Sequence, residues 1–325
     1  MIDITYFDGE LSKKISFEEL KKIFPVQKGF VWLDLSDPSE SEINSILKNF
    51  FNFHPLTIED CGVFIDHPKI DDYEKYLFIV FHSIFYHEKE LRAATWELDF
   101  FFGNNYLVTY HIKPIPHLDD IKNKAMKCEA DIIKGLDFLV CDILSVMVDS
   151  YYPVLKQISR KLNEVESEVL TSTEHDTIND IYKLKRSLSI LKKTLLPQLS
   201  VMNEFMRYEK KYFSENSSIY FNDLVNNLQR IKNILADYIE MGNDTLDAHL
   251  SISSYKMNKV MKRLTFITTI FLPLTLLSGI GGMSEWSFIT GVTKENWILS
   301  YVSFFLLSFA IAVGTYQFYK IKKWI

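Results

Sequence analysis

Two stretches decide how this chain is read: residues 264–283, LTFITTIFLPLTLLSGIGGM, and residues 297–319, WILSYVSFFLLSFAIAVGTYQFY. They run for 20 and 23 residues without a charged side chain. A helix of that length crosses the roughly 30 Å of hydrocarbon in a bilayer, so the pattern predicts two membrane-spanning helices joined by a short loop, Ser284–Asn296. Working outward, Lys256, Lys259, Lys262 and Arg263 precede the first stretch and Lys320, Lys322 and Lys323 follow the second. The loop holds only Glu285, Lys294 and Glu295 as charges. Basic flanks stay in the cytoplasm. The expected topology is therefore a C-terminal hairpin in the cell (inner) membrane, with the loop outside and both termini cytoplasmic.

The charge is as segregated as the apolar residues. From Lys256 onward eight basic residues face two acidic ones, a balance of +6, so residues 1–255 carry −12 of the chain's −6 overall. The two membrane-length stretches exclude a purely soluble enzyme, and the acidic balance of the rest excludes a nucleic-acid binder with an overall basic face. The first 30 residues have no apolar run behind a basic start, so no secretory leader is expected. Cys61, Cys128 and Cys141 are odd in number and far apart. They suggest neither a zinc site nor a disulfide framework, and fit the reduced thiols of a cytosolic region.

Residues 1–130 read as a cytoplasmic α/β domain. Runs rich in β-formers occur at Ile2–Phe7, Phe30–Leu35, Tyr76–Phe85, Trp96–Phe102 and Tyr106–His111. Gly103, Asn104 and Asn105 mark a hairpin turn between the last two. Ser36-Asp37-Pro38-Ser39-Glu40 reads as a helix start, with a Ser or Asp cap and Pro38 in the first turn. Residues 131–218 read as helical: one segment over about 137–170, then another from Thr173 or Thr177 to about Phe213, kinked or interrupted at Pro197. A polar break covers Ser214–Ser218. Beyond it no Pro occurs before Pro273 and only one Gly, Gly242. The region 219–283 is thus expected to be a long stalk helix continuing into the first span, with Ile219–Gly282 as one helix of 64 residues, about 96 Å long. Residues 284–296 form the outer loop, 297–319 the second span and 320–325 a basic tail.

A seven-residue repeat with two positions per turn pair, started at Asp244, picks out one face of that helix: Asp244, Asp247, Ser251, Ser254, Asn258, Met261, Thr265, Thr268, Leu272, Thr275, Gly279 and Gly282. A packed coiled-coil seam would be Leu and Ile. This one is small and polar. It suits either close helix packing in a membrane or, if several copies surround an axis, a narrow wet tube with acids at one end and Met261 and Leu272 as apolar constrictions. Hydroxyl and carboxamide oxygens suit a hard hydrated cation such as Mg²⁺. The stripe has no thiol or imidazole for softer metals.

The run Asn258–Ser284 closely resembles the first membrane helix of the CorA family of magnesium transporters. The closing Lys322-Lys323-Trp324-Ile325 is similar to that family's basic C-terminus. His54-Pro55-Leu56-Thr57-Ile58-Glu59-Asp60 and Pro68-Lys69-Ile70-Asp71 resemble its N-terminal signatures. The resemblance implies a funnel-shaped homopentamer with a central pore. Its lining positions would be Asp247, Asn258, Met261, Thr265, Leu272, Thr275 and Gly279, with Gly282, Met283, Ser284 and Glu285 at the outer mouth. It also implies an inhibitory cytoplasmic metal site on Asp60 and Asp223 of neighbouring subunits. Mg²⁺ would be both cargo and regulator, with no organic cofactor, and the partners would be further copies of the chain, membrane lipid and divalent cations. At the mouth the family's Gly-Met-Asn is replaced by Gly282-Met283-Ser284, so a shorter hydroxyl stands where a carboxamide would face the ion.

Three functions compete: a pore for divalent cations, Mg²⁺ first with Co²⁺ or Ni²⁺ as further cargo; the same fold moving Zn²⁺ or another transition metal; or a membrane cation sensor or scaffold that does not conduct. An enzyme is not expected. His54, His82, His87 and His111 are scattered, with no nucleophile elbow, phosphate loop or paired catalytic acids around them.

Overall fold

Alternating and continuous apolar runs assemble into one seven-stranded sheet in the computed structural model, which describes residues 1–9, 11–126, 134–171, 175–208, 212–283 and 297–321. The strands are β1 (Ile2–Phe7), β2 (Ser12–Lys14), β3 (Phe30–Ser36), β4 (Lys69–Asp72), β5 (Tyr76–His87), β6 (Arg92–Gly103) and β7 (Tyr106–His111), in the order β2-β1-β3-β7-β6-β5-β4. Only the β3–β7 pair is parallel; the others are antiparallel. The five expected strands are present, with β5 and β6 longer than the sequence suggested. The two unexpected ones, β2 and β4, are the sheet edges, where charged residues blunt further pairing.

One face of the sheet is covered by α1 (Phe17–Ile23), α2 (Glu40–Ile43) and α3 (Pro55–Cys61). Ser39 caps α2 in a reciprocal box with Glu42, so Pro38 precedes the cap instead of occupying the first turn. After α2 the backbone widens to i→i+5 turns over Asn44–Phe50, closed by Phe51 N–H donating to the Ile46 carbonyl at 3.0 Å. Leu20, Ile46, Leu47, Phe53 and Cys61 pack there on Val31, Leu33, Phe78, Val80 and Phe101.

The helical region packs on the same unit. It comprises α4 (Pro116–Met126), α5 (Leu136–Asp149), α6 (Tyr151–Thr171) and α7 (His175–Phe205). The single helix expected over 137–170 is two. Pro153 lies in the first turn of α6, a position that tolerates it, and Ser150 turns its hydroxyl to the Met147 carbonyl at 2.6 Å. Pro197 sits inside an α7 that continues through it. Side chains of α7 satisfy the sheet's polar atoms: Ser187 Oγ accepts from Ala93 N–H at 3.0 Å and donates to the Leu91 carbonyl at 2.7 Å, and Gln198 Nε2 donates to the His82 carbonyl at 2.7 Å.

The long helix, α8 (Glu215–Gly281), spans 67 residues. It begins inside the expected polar break, because Ser214 accepts from Ser217 N–H at 3.3 Å, while the Asp137 carboxylate accepts from Ser214 N–H at 2.9 Å and Oγ at 2.8 Å. The chain divides into two units, Met1–Asp247 and Ala248–Ile325. The second holds the end of α8 and α9 (Trp297–Ile321). Among the described residues, three stretches are long and apolar enough to cross a membrane: Leu136–Leu170, Glu215–Ile280 and Val302–Ile321. The most apolar window of the first is 67% buried within the chain and that of each other 0%, so the first belongs to a folded core and the other two match the expected pair.

Candidate functional site

In the second unit α8 has two distinct faces. Phe266, Thr269, Ile270, Pro273, Leu274 and Leu277 are partly covered, and this spacing is one helical stripe. Phe266 packs edge-on to Tyr319 of α9 at 5.7 Å between ring centres, and Thr269 Oγ1 lies 3.0 Å from the Tyr319 hydroxyl. The neighbouring face carries the polar repeat. Asn258, Met261, Thr265, Thr268, Leu272, Thr275, Gly279, Gly282 and Met283 are all exposed, as is Asp247 at the end of the first unit. Leu272 is 68% exposed, a large apolar surface without a partner inside the chain.

The hydroxyls on this face are partly committed. Thr268 Oγ1 donates to the Leu264 carbonyl at 2.9 Å and Thr275 Oγ1 to the Phe271 carbonyl at 2.8 Å. Gly279 is open as well: a Cβ there would meet nothing within 4 Å. The fold of one chain does not need glycine at that position, whereas close approach of a neighbouring backbone would. Ser284 and Glu285, the expected mouth, lie outside the described residues, as do Cys128 and residues 322–325.

In the first unit Asp60 stands near the end of α3, which His54 caps by accepting from Leu56 N–H at 3.2 Å. Its Oδ2 is 2.7 Å from Lys69 Nζ, and the same ammonium reaches Asp71 at 3.0 Å. Burial would lower the Lys69 pKa, but the hydrogen bonds and charges of Asp60 and Asp71 raise it. Asp223, on α8, is exposed and accepts from Asn227 Nδ2 at 3.3 Å. The structure therefore gives each of these acids a partner of its own within the chain.

Near Asp223 stands an acid that the sequence reading passed over, Asp149 on α5. Its carboxyl is pushed up by burial and then by the charge of Asp223. Asp223 also acts, after burial, Asp142 and Asp137, on the buried Cys141 thiol, pushed up to about 12. The signal for Asp149 was its seven-residue spacing from Asp142, which places both on one side of α5. Two like charges close together favour a dication between them, and oxygen donors suit Mg²⁺. Among the described residues no three His, Cys, Asp or Glu side chains are placed to hold a metal. His111 Nδ1 lies 2.7 Å from the Lys113 carbonyl and its Nε2 3.4 Å from Asp34, inside a buried network.

Known proteins resemble this chain over nearly its whole length. Residues 27–323 match the model of the CorA-like Mg2+ transporter protein family. YfjQ of Bacillus subtilis is 28% identical over 326 residues, covering 100% of this chain and 98% of its own. The cobalt/magnesium transport protein CorA of Thermotoga maritima is 26% identical over 328 residues, covering 100% and 92%. The complete structure of the CorA magnesium transporter from Methanocaldococcus jannaschii superposes with a TM-score of 0.84 at 22% identity, covering 100% of this chain and 99% of that one, a likeness of fold.

Proposed function

The chain belongs to the CorA-like Mg2+ transporter family, and from that premise we propose that it moves divalent cations, Mg²⁺ first, across a membrane through a pore made by several copies of α8. The observation that carries this is the exposed polar stripe beside the face that packs on α9. A stripe of Asn258 and threonines facing lipid would cost about 1 kcal/mol or more per residue, and copies facing one another around water remove that cost. In this reading five copies line the path with Asp247, Asn258, Met261, Thr265, Leu272, Thr275 and Gly279. Gly282, Met283, Ser284 and Glu285 form the outer mouth. The basic flanks keep both termini in the cytoplasm.

Asp60 and Asp223 of adjacent copies, joined by Asp149, form the regulatory Mg²⁺ site. The donor set fits a hard cation, and the mutual repulsion of Asp149 and Asp223 is what such an ion relieves. Lys69 competes for Asp60 and sets how much Mg²⁺ is needed.

The test is flux into liposomes with Mg²⁺, Co²⁺, Ni²⁺ and Zn²⁺ side by side. The expected result is Mg²⁺ flux, with a preference over the others that sharpens in Ser284→Asn. Flux of Zn²⁺ alone gives the transition-metal reading instead, and no flux under a gradient and voltage leaves a membrane-anchored cation sensor.

A further inference from the structure

Under α3, on the sheet face that carries the first core, lies a cavity of about 240 Å³. Cys61, Phe64, Glu97, Asp99 and Tyr110 line it, with Ile112 and Lys113 at an exposed rim. The ladder explains the convergence. His82 stands opposite Glu97 and Tyr110 opposite Asp99, and directly paired residues share one face of a sheet.

The polar atoms there are incompletely satisfied. Asp99 is 1% exposed and its Oδ1 has no hydrogen-bond partner. His82 is fully buried with neither ring nitrogen partnered, its Nε2 3.9 Å from Glu97 Oε2. Glu97 Oε2 accepts from Ile65 N–H at 2.7 Å. Burial, and after it the charge of Glu97, push the Asp99 carboxyl well up. Buried polar atoms are almost always paired, and a cluster of exceptions calls for a missing donor. The walls are apolar and aromatic, with Phe64 stacked 5.5 Å from the His82 ring.

We propose that this cavity binds a small organic cation, a primary ammonium seated at Glu97 and Asp99 with a short apolar body against Phe64 and Tyr110. An ammonium supplies three donors and the charge that complements Glu97. Aromatic faces attract the cation and cover its hydrocarbon. A bare metal ion lacks three suitably placed ligands among the described residues. Lys113 at the rim disfavours a second positive charge on the same ligand. The inference does not depend on the transport reading.

The experiment is calorimetric titration of the full chain in mild detergent with 2-phenylethylammonium chloride, using 2-phenylethanol as its uncharged counterpart. One saturable site per chain is expected, with the alcohol weaker by about ten-fold or more. Glu97→Gln should weaken the ammonium by a similar factor, about ten-fold. Thr95→Trp, which fills the cavity from the same strand face while leaving both acids in the sequence, should abolish binding. Should Glu97→Gln fail to fold, the ligand pair and Thr95→Trp still decide. The proposal is overturned by absence of saturation up to about 10 mM, by equal binding of the alcohol, by unchanged affinity in either folded variant, or by displacement of the ammonium by equimolar Zn²⁺.

Discussion

Lys69 is a cation tethered to the very carboxylate at which Mg²⁺ is proposed to act. Its pair with Asp60 is about a third exposed on each side, so it is worth roughly 0.2–1 kcal/mol. Lys69→Met should therefore lower the Mg²⁺ concentration that protects the cytoplasmic region from proteolysis by about two- to five-fold; no change would mean that Asp60 is not part of the site. Asp34 illustrates a different use of charge. It is buried and accepts from Thr109 Oγ1 at 2.5 Å and Lys122 Nζ at 2.6 Å. Burial alone would raise its carboxyl, but the hydrogen bond and charge of His111, then Lys122, hold it below the ordinary carboxylate value. A depressed carboxyl stabilises the fold above the ordinary value and loses that contribution as pH falls through its own lower one. Thermal stability should therefore drop below about pH 4, and less steeply in Asp34→Asn, as melting curves across that range would show. The sequence singled out Asp60 and Asp223 only through the family resemblance, Asp60 inside one of its N-terminal signatures. It hid Asp149, Glu97 and Asp99, because a buried acid on a strand or helix looks like a surface one until register assigns its face.

The start of α8 is fixed by a single serine. Ser214→Ala removes the acceptor for Ser217 N–H and one donor to Asp137, and should cost about 1 kcal/mol, read as a lower melting temperature of the first unit. The residues expected to interrupt helical structure here turn out to begin it, since Ser and Asn disfavour helix interiors and favour caps. The long helix was legible because Gly242 is the one Gly and there is no Pro between its start and Pro273, which leaves little else for the chain to do. The break between α5 and α6 was not, because the apolar periodicity runs on across it and masks the start signal that Pro153 gives. β4 escaped notice because Lys69, Asp71 and Asp72 give an edge strand the composition of a loop.

Across the whole molecule the second unit is the incomplete part, with apolar and polar residues of α8 exposed side by side. How many copies complete it is not written in the periodicity of one helix, because that number depends on angles between chains. Gly279 offers a clean test of whether copies meet there. Gly279→Val adds bulk where one chain has open space, so melting of the first unit should stay unchanged while Mg²⁺ flux falls by about ten-fold or more, as overpacking a close contact would require. Unchanged flux would place the copies' contact elsewhere. Thr268 and Thr275 spend their protons on carbonyls of their own helix, so each turns only lone pairs outward. A wall of such oxygens sorts ions by the sign of their charge while carrying no formal charge itself. It contains nothing that titrates near neutrality, so the rejection of anions by this stretch should be the same from about pH 6 to about pH 9.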